Sequence, residues 1–352
     1  MKRIAAILLI LAASAGAWAQ ETPLTQAEYV KMLYSVQRDP SVRKNLIEAL
    51  RKRGIDFAVT DGLRGLTRSK AGADEELARA LEEAGRRRAD PKASALPSTA
   101  EARTLLETTR RNTLAAVEDM PDFVVKQLIA RSAAVAGTGN FRSIDRLVVA
   151  VSYRSTGEEE YRLLSKDGVL QADPKAKGSY EEAGGTSSTG EFVTVLATIF
   201  KTESDTKFDL IDTDTIRGRR SLVFEFATPR DKARQTVTAL GSLTQSAVTG
   251  MRGRIWIDRE LGRVLRIDSE ATEIPAGFPI TSARRMIDYD WVTIADEKYL
   301  LPSESDVRLT GNESPRAYET RNVIRFREYQ KYGTEVIIRE DDETPDAGTR
   351  KP

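Results

Sequence analysis

The sequence predicts an α+β protein: a small N-terminal helical domain, then a curved antiparallel β-sheet, an unclosed half-barrel, with an inserted covering helix. Three observations predict it. Apolar residues recur at helical spacing through the first ninety residues. From Met120-Pro121-Asp122 onward the pattern changes to strand-like alternation. Inside the alternating region Phe192, Val195, Leu196, Ile199 and Phe200 return to the i, i+3, i+4, i+7, i+8 spacing of one apolar helix face.

Residues 1–19 read as a secretory signal. Lys2 and Arg3 give a basic start, Ile4 to Ala13 an apolar run, and Ala17-Trp18-Ala19 a small-residue cleavage site before Gln20. An uncleaved anchor is the alternative, but a spanning helix needs roughly 20 apolar residues. No Cys follows the run, which excludes lipid attachment of the bacterial lipoprotein kind, and no later segment is apolar enough to span. The expected location is the periplasm, with the extracellular medium as the alternative.

Four short helices follow in a domain over 20–88. Thr25-x-x-Glu28 is a capping box before Tyr29, Met32, Leu33 and Val36. Ser41 is a candidate cap for a second helix with Val42, Leu46, Ile47 and Leu50, ending in Arg51, Lys52, Arg53 and Gly54. Thr60 opens a third with Leu63 and Leu66. Leu77, Ala80, Leu81 and Ala84 mark a fourth, ending at Arg86-Arg87-Arg88. Helices this short need mutual packing to persist.

Residues 89–98, with two prolines, read as a linker. The second domain spans 99–340. Ser98-x-x-Glu101 opens its helix, which carries Leu105, Leu106, Thr109, Thr113 and Leu114. Strands are expected at 123–132, 144–153, 161–165, 207–215, 219–228, 250–258, 263–273, 280–294, 299–309, 316–328 and 334–339. Turns are expected at Lys166-Asp167-Gly168, Ile216-Arg217-Gly218, Glu260-Leu261-Gly262 and Asp296-Glu297-Lys298. The polar tail, 341–352, reads as disordered.

Composition narrows the chemistry. The chain has 54 Lys and Arg against 53 Asp and Glu, a balance that argues against nucleic acid as a partner. His and Cys are both absent, which excludes imidazole bases, thiol nucleophiles, disulfides and His- or thiolate-ligated metals. No cofactor is expected. Asp212 with Asp214, and Asp288 with Asp290, lie two apart on expected strands, so each pair shares a face. Such pairs serve acid–base chemistry or hard cations, or simply form a solvated outer face. The Gly184–Gly190 loop before a helix suggests an anion cradle but lacks the P-loop Lys; a flexible lid is the plainer reading. Arg217, Arg219, Arg220, Arg252 and Arg254 either contact anions or solubilise turns. Trp256, Trp291, Phe224 and Phe226 read as core, which in an open half-barrel is also the ligand face.

Several pieces resemble a family of exported, uncharacterised bacterial proteins: Pro121-Asp122-Phe123, Ser188-Thr189-Gly190-Glu191-Phe192, Arg217-Gly218-Arg219, Ile274-Pro275-x-x-Phe278-Pro279-Ile280, Tyr289-Asp290 and Tyr299-Leu300-Leu301-Pro302. That family carries a Cys soon after Pro-Asp-Phe, where this chain has Val124-Val125, so any role of that Cys is absent. The strand succession with an internal helix is also similar to the lipoprotein-carrier and outer-membrane lipoprotein-sorting fold, which implies an apolar cavity lidded by helices. Arg53-Gly54-Ile55-Asp56-Phe57 with Leu63, Leu66 and Leu77-x-x-Ala80-Leu81 resembles a small helical module of exported bacterial proteins.

The leading expectation is a non-enzymatic periplasmic protein that binds a lipid, a lipoprotein acyl chain or another apolar ligand. Its cavity would be lined by Val149, Val151, Phe192, Leu196, Phe224, Phe226, Ile255 and Ile257. One alternative is an envelope scaffold with a packed β core, whose N-terminal helices recruit a partner protein. The other is a carboxylate-dependent hydrolase, which requires the Asp pairs to meet in one cleft.

Overall fold

Helix boundaries in the first ninety residues follow from their caps. The computed structural model describes residues 22–72, 74–92, 94–171, 180, 192, 194–233, 235–239, 244–312 and 317–333. Helix α1 (Gln26–Arg38) begins with the expected Thr25/Glu28 capping box. Helix α2 (Arg43–Arg53) departs from expectation: its N-cap is Val42, with no side-chain bond. Ser41 lies instead in a 3-10 turn, Pro40–Val42, where its N–H donates to Asp39 Oδ1 at 2.9 Å. Asp39 thus takes the local capping role. Gly54 ends α2 with φ 69°, a conformation that suits glycine. Helices α3 (Asp61–Lys70) and α4 (Glu75–Ala89) are capped by Thr60 and Asp74.

Contacts divide the chain into two compact units, Met1–Ser94 and Ala95–Pro352. In the first, Tyr29, Leu33, Leu46, Leu50, Leu77 and Leu81 form the core. Tyr29 Oη and Thr67 Oγ1 are 2.7 Å apart inside it, which satisfies the phenol that the burial requires. Burial pushes the Tyr29 pKa up to about 12, against the Thr67 hydrogen bond.

The second unit opens with α5 (Thr99–Glu118), started by the expected Ser98/Glu101 box. Among the described residues twelve strands follow: β1 (Phe123–Val135), β2 (Arg142–Tyr153), β3 (Glu159–Lys166), β4 (Val169–Leu170), β5 (Lys207–Ile216), β6 (Arg219–Thr228), β7 (Gln235–Ala239), β8 (Gln245–Asp258), β9 (Val264–Thr272), β10 (Ile280–Ile294), β11 (Glu297–Gly311) and β12 (Tyr318–Lys331). Short helices interrupt them, among them α6 (Thr194–Phe200) and α7 (Arg230–Ala233). The strands form one antiparallel, unclosed sheet in the order β4-β3-β2-β1-β12-β11-β10-β9-β8-β6-β5, with β7 paired to β8. β1 therefore pairs with β12, which joins the first and last of the described strands near the middle of the sheet.

The sequence misses β4 and β7. Both are short, and β7 alternates Thr with small apolar residues, a weak signal. The β10–β11 turn is also displaced: Ala295 and Asp296 carry the positive φ of 48° and 73°, and β11 already begins at Glu297. The 334–339 strand, the 341–352 tail, the 1–19 signal and the Gly184–Gly190 loop lie outside the described residues. Of the expected helix over 191–200, Thr194–Phe200 is helical.

Strand alternation gives the sheet an inner face, packed against α5, α6 and α7, and an outer face. Helix α5 is held to the β8–β9 turn by polar bonds. Asn112 Nδ2 donates to the carbonyls of Leu261 at 3.3 Å and Gly262 at 3.2 Å, and Arg263 donates back to the Asn112 carbonyl.

Two outcomes are expected. A β-carbon on Gly253 would sit 2.0 Å from the Asp268 carbonyl oxygen across the β8–β9 ladder. Gly253→Ala should therefore destabilise the protein by about 3 kcal/mol or more, read by urea denaturation. For Tyr29 the neutral phenol is the form favoured by folding. Its contribution is complete below the ordinary value near 10 and is lost as pH rises towards about 12. The difference in tyrosinate absorbance between wild type and Tyr29→Phe should therefore show a transition well above pH 10.

Candidate functional site

The eight residues expected to line a cavity all lie on the inner side, divided between two adjoining clusters. Val149, Val151 and Phe192 join Phe123, Ile129, Leu301, Ile324 and Phe326. Leu196, Phe224, Phe226, Ile255 and Ile257 join Phe200, Leu222, Ile267 and Ile287. Register explains the continuity. Leu210, Phe224, Ile255, Ile267, Ile287, Ser305, Ile324, Ile129 and Leu147 are consecutive cross-strand partners, a single row from β5 to β2. Helix α6 supplies Val195, Ile199 and Phe200, and α5 supplies Ala102, Leu105, Leu106 and Leu114. Phe192 meets Phe123 and Phe326 edge-on, with ring centres at 5.3 and 5.6 Å.

The apolar face is packed: Val149, Val151, Ile255 and Ile257 are all at 0% exposure. A separate open depression of about 510 Å³ lies along the loop from Ile274 to Thr281 beside Asn312. Its walls include the Ile274-Pro275 and Phe278-Pro279-Ile280 pieces of the sequence resemblance.

A polar row crosses the inner face one step further along the strands. Ser269, Arg285, Val307, Asn322, Arg131 and Asp145 are consecutive partners from β9 to β2. Arg131 donates two bonds to Asp145, both at 2.6 Å, and Lys166 adds a third contact at 3.3 Å. The guanidinium beside it holds the Asp145 carboxyl below the ordinary carboxylate range.

The Asp pairs differ from both sequence readings. A register shift between Leu210 and Asp212 places Asp212 and Asp214 on the outer face, opposite Phe208 and Leu210. That face is not solvated here: Asp212, Asp214 and Asp288 are buried, and Asp290 is the exposed member. The Trp256 indole donates to Asp214 at 3.0 Å. Arg266 grips Asp288 with two bonds of 2.6 Å, and Arg217 stands 3.7 Å from both Asp288 and Asp290. Burial opposes the Arg266 charge, but the Asp288 carboxylate outweighs it and holds the guanidinium above its ordinary value. Burial pushes neighbouring Glu304 up, against the pull of Arg325 at 3.7 Å. The two pairs do approach one another, but through Arg266 and Trp256 in a charge-compensated layer. A carboxylate clasped by a guanidinium has its lone pairs engaged, which suits a structural role.

The turn arginines are likewise engaged: Arg219 with Asp258, Arg252 with Glu270 and Arg254 with Glu225. Trp291 departs from its expected core position, with 42% exposure. β9 pairs with β10 only over Arg284–Asp288, so beyond that point β10 runs on with β11 alone. Trp256 is buried, but on the outer face with Ile216, Val223 and Leu265. Among the described residues no group of three Asp or Glu is placed to hold a metal, and no helix is long and apolar enough to cross a membrane.

No protein-family model matches the chain. No curated protein matches it either. Among solved structures the chain is similar to a LolA superfamily protein from Nitrosomonas europaea, at 12% identity and TM-score 0.27, over 67% of this chain and 98% of that one. It is similar to a DUF1329 family protein from Desulfovibrio piger at 10% identity and TM-score 0.29, over 65% and 95%. It is also similar to a chain of the Pseudomonas aeruginosa MucA/MucB complex, at 12% identity and TM-score 0.18, over 62% and 93%.

The Arg266–Asp288 pair gives a testable consequence. Arg266→Met leaves a buried carboxylate with only the more distant Arg217 and should cost about 3 kcal/mol in urea denaturation. Adding Asp288→Leu should restore most of that loss, because the uncompensated charge goes with it.

Proposed function

We propose that the protein is exported through residues 1–19 and binds an apolar ligand, a lipid or a lipoprotein acyl chain, on the inner face of its half-barrel, with no catalytic step. The observation that carries this reading is the manner of covering. An apolar row runs from β5 to β2, yet the sheet does not close on itself. Over it lie α5 and a helix of 7 residues, α6. Apolar contacts of this kind are non-directional, so an acyl chain can replace a helix face at little cost in specific bonds. Binding in this reading exchanges the α6 cover for ligand. Val149, Val151, Phe224, Phe226, Ile255 and Ile257 form the floor, and Phe192 and Leu196 belong to the cover. Residues 20–88 form an independent helical domain on the 89–98 linker.

The tight packing of the inner face favours a second reading, an envelope scaffold whose N-terminal helices recruit a partner. One measurement separates the two. The purified chain is extracted for lipid, then titrated with a fluorescent fatty-acid analogue. Co-purifying lipid and saturable binding are the expected result. Absence of both sinks the ligand reading in favour of the scaffold.

A further inference from the structure

One side chain on the inner face does not belong in a purely apolar floor. Gln127 of β1 is at 0% exposure, and among the described residues both its amide nitrogen and its amide oxygen lack a hydrogen-bond partner. Its position is fixed by register: Val149 stands beside it on β2 and Phe326 on β12, with Val125 and Ile129 before and after it on the same face. Phe326 is in turn covered by Phe192. A second buried group, Ser305 Oγ, also lacks a partner among the described residues, two strands away in the adjacent row. A buried amide with neither half satisfied is a standing penalty that Leu or Met at the same place would remove. A scaffold has no use for such a group. A binding face does, because a ligand's polar group can pair with it.

We infer that Gln127 anchors the head of a single-chain acyl amphiphile whose uncharged head group offers both a donor and an acceptor, as a monoacylglycerol does. This rests on the ligand reading above and specifies its substrate class. The amide presents one donor side and one acceptor side, so a hydroxyl next to an ester carbonyl pairs with both. An ionised head is disfavoured. The flanking positions are apolar, and Arg131, four residues along β1, is already clasped by Asp145. A carboxylate or phosphate beside Gln127 would be desolvated without a dedicated counter-charge.

The test uses the delipidated full chain and three probes: monolauroylglycerol, laurate and a pyrene-labelled alkane, titrated against wild type, Gln127→Leu and Gln127→Met. Wild type is expected to bind monolauroylglycerol roughly ten-fold more tightly than laurate, the size of one or two net hydrogen bonds. Both variants should lose that preference, keep alkane affinity and melt no lower than wild type, since an unsatisfied amide has been removed. Variants that bind monolauroylglycerol as tightly as wild type overturn the inference while leaving the ligand reading intact. So does a wild type that binds the alkane without preferring the uncharged head. Failure of wild type to bind any probe overturns both.

Discussion

The sheet must hide one apolar face from water without closing on itself, and the rest of the second unit depends on how it does so. A closed barrel would pair its edge strands and enclose its own interior. Here β4 and β5 end the ladder, so the inner face is covered by helices instead. A cover is therefore required, and α5 and α6 supply it here. It also explains why α5 is tied down by directed bonds: Asn112 and Arg263 fix it to the β8–β9 turn, while apolar contacts alone would leave its position along the sheet loosely defined.

Charge is arranged around the same constraint. In the polar row that crosses the inner face, Arg131 and Asp145 neutralise each other. The outer face carries a partly buried layer, in which Trp256, Arg266, Asp288, Glu304 and Arg325 follow one another across five strands. Such pairs add little net stability over apolar substitutes, but they penalise any slip of register, since a one-residue shift would turn each charge into the apolar core. In a sheet with this many strands, register is the property most in need of enforcement. The cost of the layer is consistent with that purpose.

Much of this fold is legible in the chain. Capping residues Thr25, Thr60 and Ser98 mark helix starts because their side chains bond to backbone three residues away, a strictly local event. Alternation locates the long strands for the same reason: Leu147, Val149, Val151 and Tyr153 share a face through backbone geometry alone. The Asp167-Gly168 and Arg217-Gly218 turns have the positive φ angles their sequence suggests. Where the signal is weak or depends on neighbours, reading fails. Ser41 loses its cap to Asp39, β7 is too short and polar to stand out, and Trp291 is exposed because β9 stops short of it.

The sequence by itself determined the class: helices first, then an antiparallel sheet interrupted by a helix, with no imidazole or thiol chemistry available. Those properties follow from local periodicity and from residue types present or absent. Only the tertiary structure decided which partners each residue meets. It joined β1 to β12, moved Asp212 and Asp214 to the outer face through one register shift, and set Arg266 against Asp288. It also placed Gln127, which no sequence motif singles out, among apolar neighbours on the inner face. Long-range strand pairing is set by the whole sheet, and no window of neighbouring residues carries it.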